Sequence, residues 1–250
     1  MNGETFARYF DSQYELFDDD LPLWIELARS SAGRVLELGC VTGRVLRALA
    51  SNDIPVIGID SDPAMLQRAG KNLFPRFHSS VQLSNQDIRE FALEDSFSLI
   101  LAICNVIAQL PLPQARKVFE RALTHLQPGG RLAIDLPNPE EAVEPTLGPE
   151  PELVADFLDI DTDHPVQVYA SYAASPASGQ QEVIWHYDEL FPDGRVSRLD
   201  VPVTYYLHSP EDIQIELESV GFKVIEFRDC YTSAPLPGTS SRQIVVAAAP

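Results

Sequence analysis

The chain is poor in positive charge. Its 250 residues hold 18 Lys and Arg against 37 Asp and Glu, a formal net charge of −19. That balance argues against nucleic-acid and anionic-membrane partners, because neutralising phosphates needs clustered cations. The shortage is sharpest between Arg131 and Arg195, where there is no Lys or Arg while fourteen Asp and Glu fall between Asp135 and Asp193. Cysteine is sparse too. Cys40, Cys104 and Cys230 form no metal-ligand or redox spacing, and their scatter suits a reducing cytosol. No apolar run approaches the roughly 18 residues of a membrane span. The N-terminus, MNGETFARYFDSQYELFDDD, lacks the basic start and apolar middle of a secretory leader, so a cytoplasmic location is expected.

What is present is enough apolar residue, 45%, to build a full core. Residues 4–30 read as two helices. Phe6, Tyr9, Phe10, Gln13, Tyr14 and Phe17 put an aromatic face on the first, and Asp18-Asp19-Asp20 offers a cap for the second. From Gly33 onward, short apolar runs alternate with helical periodicity. Strands are expected at 34–38, 55–59, 81–83, 97–103 and 131–136, with helices at 42–51, 62–73 and 113–126 between them. Such alternation argues for a parallel sheet covered on both faces. Residues 137–163, rich in proline and acid, read as a loop with at most one short helix. Residues 165–206 switch to period-two alternation and read as about three antiparallel strands. Ser209-Pro210-Glu211-Asp212 starts a last helix ending at Gly221, and 223–228 and 243–248 close the sheet.

The chemistry concentrates in Val35-Leu36-Glu37-Leu38-Gly39-Cys40-Val41-Thr42-Gly43-Arg44, a buried strand running through a glycine turn into a helix. Glycine lets backbone approach a ligand, and a helix N-terminus offers unpaired N–H groups. Asp60 follows Gly39 by twenty-one residues at the end of the second strand, where a carboxylate can accept both hydroxyls of a ribose. A nicotinamide enzyme would use the same layout with glycine at three positions. Those positions hold Gly39, Val41 and Arg44, so two of the three fail.

The pattern Glu37-x-Gly39-x-x-x-Gly43 resembles the first motif of class I S-adenosylmethionine-dependent methyltransferases. The resemblance continues in order through residues 57–66, Asn85-Gln86-Asp87-Ile88, Phe97–Ile103, the Pro128-Gly129-Gly130 turn and Val220-Gly221-Phe222. It covers about 33–136 and 207–250 and implies a Rossmann-like α/β fold, with a seven-stranded, mostly parallel sheet. On that pattern residues 1–32 form an N-terminal helical lid. Residues 33–136 and 207–250 form the cofactor-binding domain, and 137–206 an inserted antiparallel β substrate cap. By the same resemblance S-adenosylmethionine is the cofactor. Glu37, Gly39 and Gly43 would meet its methionine end and Asp60 its ribose. Asp87 would accept from the adenine amino group, with Met65 and Ile88 on the ring faces. Two positions depart from the pattern. Val41 replaces a customary glycine; in an ordinary backbone conformation it leaves binding intact, and turned inward it lowers affinity. Ser98 stands where many members carry an acid.

The implied reaction is methyl transfer to N or O of a small molecule. The layout is similar to that of the amino-sugar N-methyltransferases, and the acidic insertion favours an amine by field focusing. The alternative is a catalytically weak or inactive protein that binds S-adenosylmethionine or S-adenosylhomocysteine. Cys104-Asn105-Val106-Ile107 lacks the tetrad used on exocyclic amines of bases. Asp135 and Asn138 are too few for a metal cluster, so no metal is expected. Tyr14, Asn105 and His186 are the candidate catalytic or acceptor-contacting residues.

Overall fold

The computed structural model describes residues 3–139, 150–175, 179–232 and 241–250. Two helices, α1 (Gly3–Tyr14) and α2 (Leu21–Ser31), precede the sheet. The chain then alternates β1 (Val35–Leu38), α3 (Arg44–Ala50), β2 (Val56–Asp60), α4 (Pro63–Phe77), β3 (Val81–Asn85), β4 (Phe97–Ala102), α5 (Leu112–His125) and β5 (Leu126–Pro137). Four strands follow: β6 (Glu152–Leu158), β7 (Pro165–Ser175), β8 (Gln180–Leu190) and β9 (Val196–Tyr206). Helix α6 (Pro210–Val220) and strands β10 (Lys223–Asp229) and β11 (Arg242–Ala248) end the described chain.

The main sheet has seven strands in the order β10-β11-β5-β4-β1-β2-β3, parallel except for β11, which runs antiparallel to both β5 and β10. β1, β2 and β4 are buried at every position, as strands covered on both faces must be. One core layer packs Phe91, Phe97, Phe119, Ile134 and Leu217 against one face, and another packs Trp24, Leu27, Leu46, Leu73 and Ile244 against the other. Helix α6 starts as its sequence dictates. Ser209 accepts a hydrogen bond from the Asp212 N–H, Pro210 opens the first turn, and Gly221 closes the helix at φ +118°.

Three readings need correction. Residues 152–158 are strand β6, so the antiparallel sheet has four strands in the order β6-β7-β8-β9; residues 140–149 of the expected loop lie outside the described residues. Helix α4 runs to Phe77 past Pro75. Asp20 occupies the position before α2 but does not cap it, because its carboxylate is engaged elsewhere. Ser98, at the start of β4, donates to the Arg34 carbonyl, at the opposite strand end from the turn after β1. No described helix is long and apolar enough to cross a membrane.

Candidate active site

The strand order reverses between β1 and β4, and a crevice opens at their C-terminal ends, as doubly wound sheets dictate. The cleft has a volume of about 740 Å³. Its floor is the turn after β1, where the Gly39 and Cys40 N–H groups both donate to the Ile59 carbonyl, at 2.8 and 3.0 Å. Gly39 has φ +72°, and a Cβ there would stand 2.7 Å from Val106 Cγ2. Glycine is required both by conformation and by space.

Val41 also adopts the left-handed region, at φ +42°, and lines the cleft. Of the two alternatives open to it, the ordinary conformation is not the one found. The turn keeps the backbone path suited to glycine, and a β-branched residue bears the strain, about 1–2 kcal/mol. One compensation is visible: the Val41 N–H donates to Asp60 Oδ2 at 2.9 Å, while the Asp62 N–H donates to Oδ1 at 2.9 Å. Burial raises the Asp60 pKa and these backbone donors lower it. Glu37, 3% exposed, lies beneath the turn with a buried Oε2 that has no hydrogen-bond partner. Burial pushes its pKa up to about 8, against the pull of Arg44.

Met65, Asp87 and Ile88 line the same end as Asp60. Arg89, not singled out in the sequence, grips the Asp87 carboxylate through Nε and Nη2 and lowers its pKa. Gly43 lies behind the turn, where a Cβ would strike Leu73 Cδ1 at 2.7 Å.

The other end gathers residues far apart in sequence. Tyr14, Cys104, Asn105, Asp135, Trp185, Tyr205, Tyr231 and Arg242 line it. Cys104 and Asn105 both have positive φ, at 55° and 64°, as the chain turns sharply after β4. Arg242 donates to Asp135 Oδ1 from Nε at 2.7 Å and to Asn105 Oδ1 from Nη2 at 2.6 Å. The Cys104 N–H donates to Asp135 Oδ2 at 3.2 Å. Burial pushes the Tyr14 hydroxyl and the Cys104 thiol up to about 12, and Asp135 adds to the effect on Cys104. Arg242 carried a faint sequence signal, as the only Lys or Arg after Arg228. Asp135, a metal-ligand candidate by sequence, is instead the ion-pair partner of Arg242.

Helix α1 and the four-stranded sheet cover the cleft. Phe6, Phe10, Gln13, Tyr14 and Phe17 face into it, while Tyr9 is buried against the sheet and donates to Glu189 at 2.6 Å. Trp185 and Tyr187 point inward from β8. His186, between them, therefore takes the opposite face. It lies 2.7 Å from Asp200 and 3.0 Å from Ser171 and is not among the residues that line the cleft.

The described acids of the insertion do not line the cleft, and Asp135, which does, lies on β5 and is paired. Asp159 and Glu189 bind Arg8, Asp161 binds Arg68, and Asp188 binds Arg198. Glu140, Glu141 and Glu144 lie outside the described residues. These four acids hold structure together, and none of the insertion's described acids lines the cleft to favour a cationic acceptor.

This turn, carboxylate and crevice coincide with a family match: residues 35–130 match the family described as a methyltransferase domain. The likeness to a methyltransferase domain is confined to those residues. Over 106 residues it is 36% identical to a trans-aconitate 2-methyltransferase of Deinococcus radiodurans, covering 42% of this chain and 38% of that protein. The match thus spans about two fifths of that relative's length. Beyond the matched residues, the fold is similar to a S-adenosylmethionine-dependent methyltransferase from Clostridium acetobutylicum, with TM-score 0.80, 18% identity and 98% of each chain covered. It is also similar to the sugar N-methyltransferase KedS8 from Streptoalloteichus, with TM-score 0.75, 18% identity, and 98% of this chain and 92% of that one covered. These likenesses extend over the helices and the four-stranded sheet that flank the methyltransferase domain.

Proposed function

We propose that the protein transfers a methyl group from S-adenosylmethionine to N or O of a small molecule. The observation that carries this reading is the turn after β1. A left-handed backbone path is kept even at Val41, and its N–H is held by the Asp60 carboxylate at the floor of a cleft of about 740 Å³. The donor set fits the cofactor. Asp60 would take the ribose hydroxyls. Asp87 would face the adenine amino group, with Met65 and Ile88 beside the ring. Glu37, with its orphaned buried oxygen, would answer the positive charge of the methionine end, over the bare backbone at Gly39 and near Gly43. The cofactor supplies a methyl group already activated on a sulfonium. The protein must align the acceptor and exclude water. Helix α1, as a lid, and the four-stranded sheet, as an acceptor-binding cap, serve both ends. The small-molecule methyl acceptors named for the relatives, trans-aconitate and sugars, support an acceptor of that size.

A second reading, a cofactor-binding protein with little turnover, is favoured by Val41 in the cleft and by the lack of a histidine among its described lining residues. Calorimetric titration with S-adenosylmethionine and S-adenosylhomocysteine tests both readings. Binding near micromolar, about −8 kcal/mol, lost in Asp60→Ala, is expected. Failure to bind either ligand overturns the proposal. Tight binding with no methyl transferred to acids, alcohols or amines selects the second reading.

A further inference from the structure

The acceptor end of the cleft has a chemical character that the covering elements impose. Its walls are aromatic: Phe10, Tyr14, Trp185, Tyr205 and Tyr231. The described lining residues include no histidine and no lysine. The acid at this end, Asp135, has both oxygens committed, Oδ1 to Arg242 and Oδ2 to the Cys104 N–H. It is also shielded. Its side chain is 1% exposed, against 20% for Arg242, so an incoming group meets the guanidinium before the carboxylate. The remaining titratable groups here, Tyr14, Cys104, Tyr205 and Tyr231, are all held in their neutral, protonated forms by burial. A protonated group is no base.

These facts restrict the nucleophile. An ammonium would need a base to remove its proton before its nitrogen could attack. A phenol or alcohol would need the base as well. A carboxylate needs neither, because it is already ionised at neutral pH. A planar, permanently charged guanidinium also suits it. Resting on the methyl-transfer reading, we infer that the acceptor is a carboxylate on an apolar or aromatic body, oriented by Arg242 and esterified at oxygen. A carboxylate oxygen uses a lone pair to form the O–CH₃ bond while the S–CH₃ bond breaks and its electron pair returns to sulfur. The anion and the sulfonium are both neutralised, and no proton is released. The step balances without a base, in keeping with an acceptor end whose described lining residues offer no unpaired one.

Binding is read first, without cofactor. Phenylacetate, phenylacetamide and phenethylamine share one body and differ in charge. Titrated calorimetrically, phenylacetate is expected to bind at least about tenfold tighter than the other two, the scale of one charge-assisted contact. Arg242→Gln should abolish that preference and Arg242→Lys should keep part of it. Since Arg242→Gln leaves Asp135 buried without its ion-pair partner, the double variant Asp135→Asn/Arg242→Gln, checked by circular dichroism, carries the same test in a neutral setting. Preference for the amine, or equal or undetectable binding of all three, overturns the inference. The second readout is the product. Incubation with methyl-labelled S-adenosylmethionine and mixed acids and amines should give label that alkali releases as methanol, as an ester does. Label stable to alkali keeps the transferase reading and overturns the carboxylate. Loss of cofactor binding with the phenylacetate preference intact overturns the transferase reading and keeps the anion site.

Discussion

The carboxylate of Asp20 accepts two hydrogen bonds from the guanidinium of Arg44, Nη1 to Oδ1 and Nη2 to Oδ2, each 2.7 Å. The Trp24 indole donates a third at 2.8 Å. Asp20 is completely buried and the Arg44 side chain nearly so. The pair therefore ties the segment before α2 to the first residue of α3, directly after the glycine turn. Breaking a buried pair strands a charge. Asp20→Ala is expected to cost about 3–5 kcal/mol in urea unfolding, whereas Arg47→Ala, at a pair exposed on both sides, should cost less than about 1 kcal/mol.

Glu37 links cofactor binding to pH. Its pKa, pushed up to about 8 by burial, lies above the ordinary 4.5. A raised folded pKa gives stability that is full below about 4.5 and is lost as pH rises through 8. Glu37→Gln should remove that loss, so the free variant melts higher than the parent above pH 8. A cationic ligand reverses the preference by favouring the carboxylate. Affinity for S-adenosylmethionine should rise with pH up to about 8 in the parent and stay flat in Glu37→Gln.

Val41 offers a gain-of-binding test. Val41→Gly relieves about 1–2 kcal/mol of left-handed strain and gives back about 0.5–1 kcal/mol through a freer unfolded chain. The melting temperature should therefore move little. Because the side chain lines the cleft, S-adenosylhomocysteine should bind several-fold tighter. Unchanged affinity would mean that the valine does not meet the ligand.

Helix α1 is clamped by charge. Arg68 on α4 donates to Asp11 on α1 at 2.6 Å and to Asp161, after β6, at 2.6 and 2.9 Å. Asn72 adds contacts to Asp11 at 3.0 and 3.1 Å. Arg68→Ala should speed hydrogen exchange in α1 at least tenfold while leaving β1 and β4 protected. If helix α1 gates the cleft, ligand dissociation should quicken in parallel.

His186→Ala should lower stability by about 1 kcal/mol, the usual worth of its hydrogen bonds to Ser171 and Asp200. It should leave kcat/KM within twofold of the parent for any accepted substrate. A loss of a hundredfold or more would restore the histidine as a base.

Much of this architecture was written in local order. Short apolar runs alternating with helical periodicity specified β1 to β5, because a parallel strand buried on both faces has no other composition open to it. Ser209, Pro210 and Gly221 marked the bounds of α6 through interactions within a few residues. Gly39 and Asp60 announced the turn and its carboxylate for the same reason. Other features depended on chain crossings that no local pattern encodes. Val41 was forced into a left-handed turn by the path between β1 and α3 and by the Asp60 carboxylate waiting for its N–H. Asp20 lost its expected cap role to Arg44, twenty-four residues away. Four acids of the insertion, Asp159, Asp161, Asp188 and Glu189, were spent on Arg8, Arg68 and Arg198, and none of its described acids lines the cleft. His186 was turned outward by strand pleat, a matter of one residue in register. The acceptor end, where Asn105, Asp135 and Arg242 meet, joins the ends of β4 and β5 to the start of β11. Only the antiparallel return of that last strand brings the arginine there.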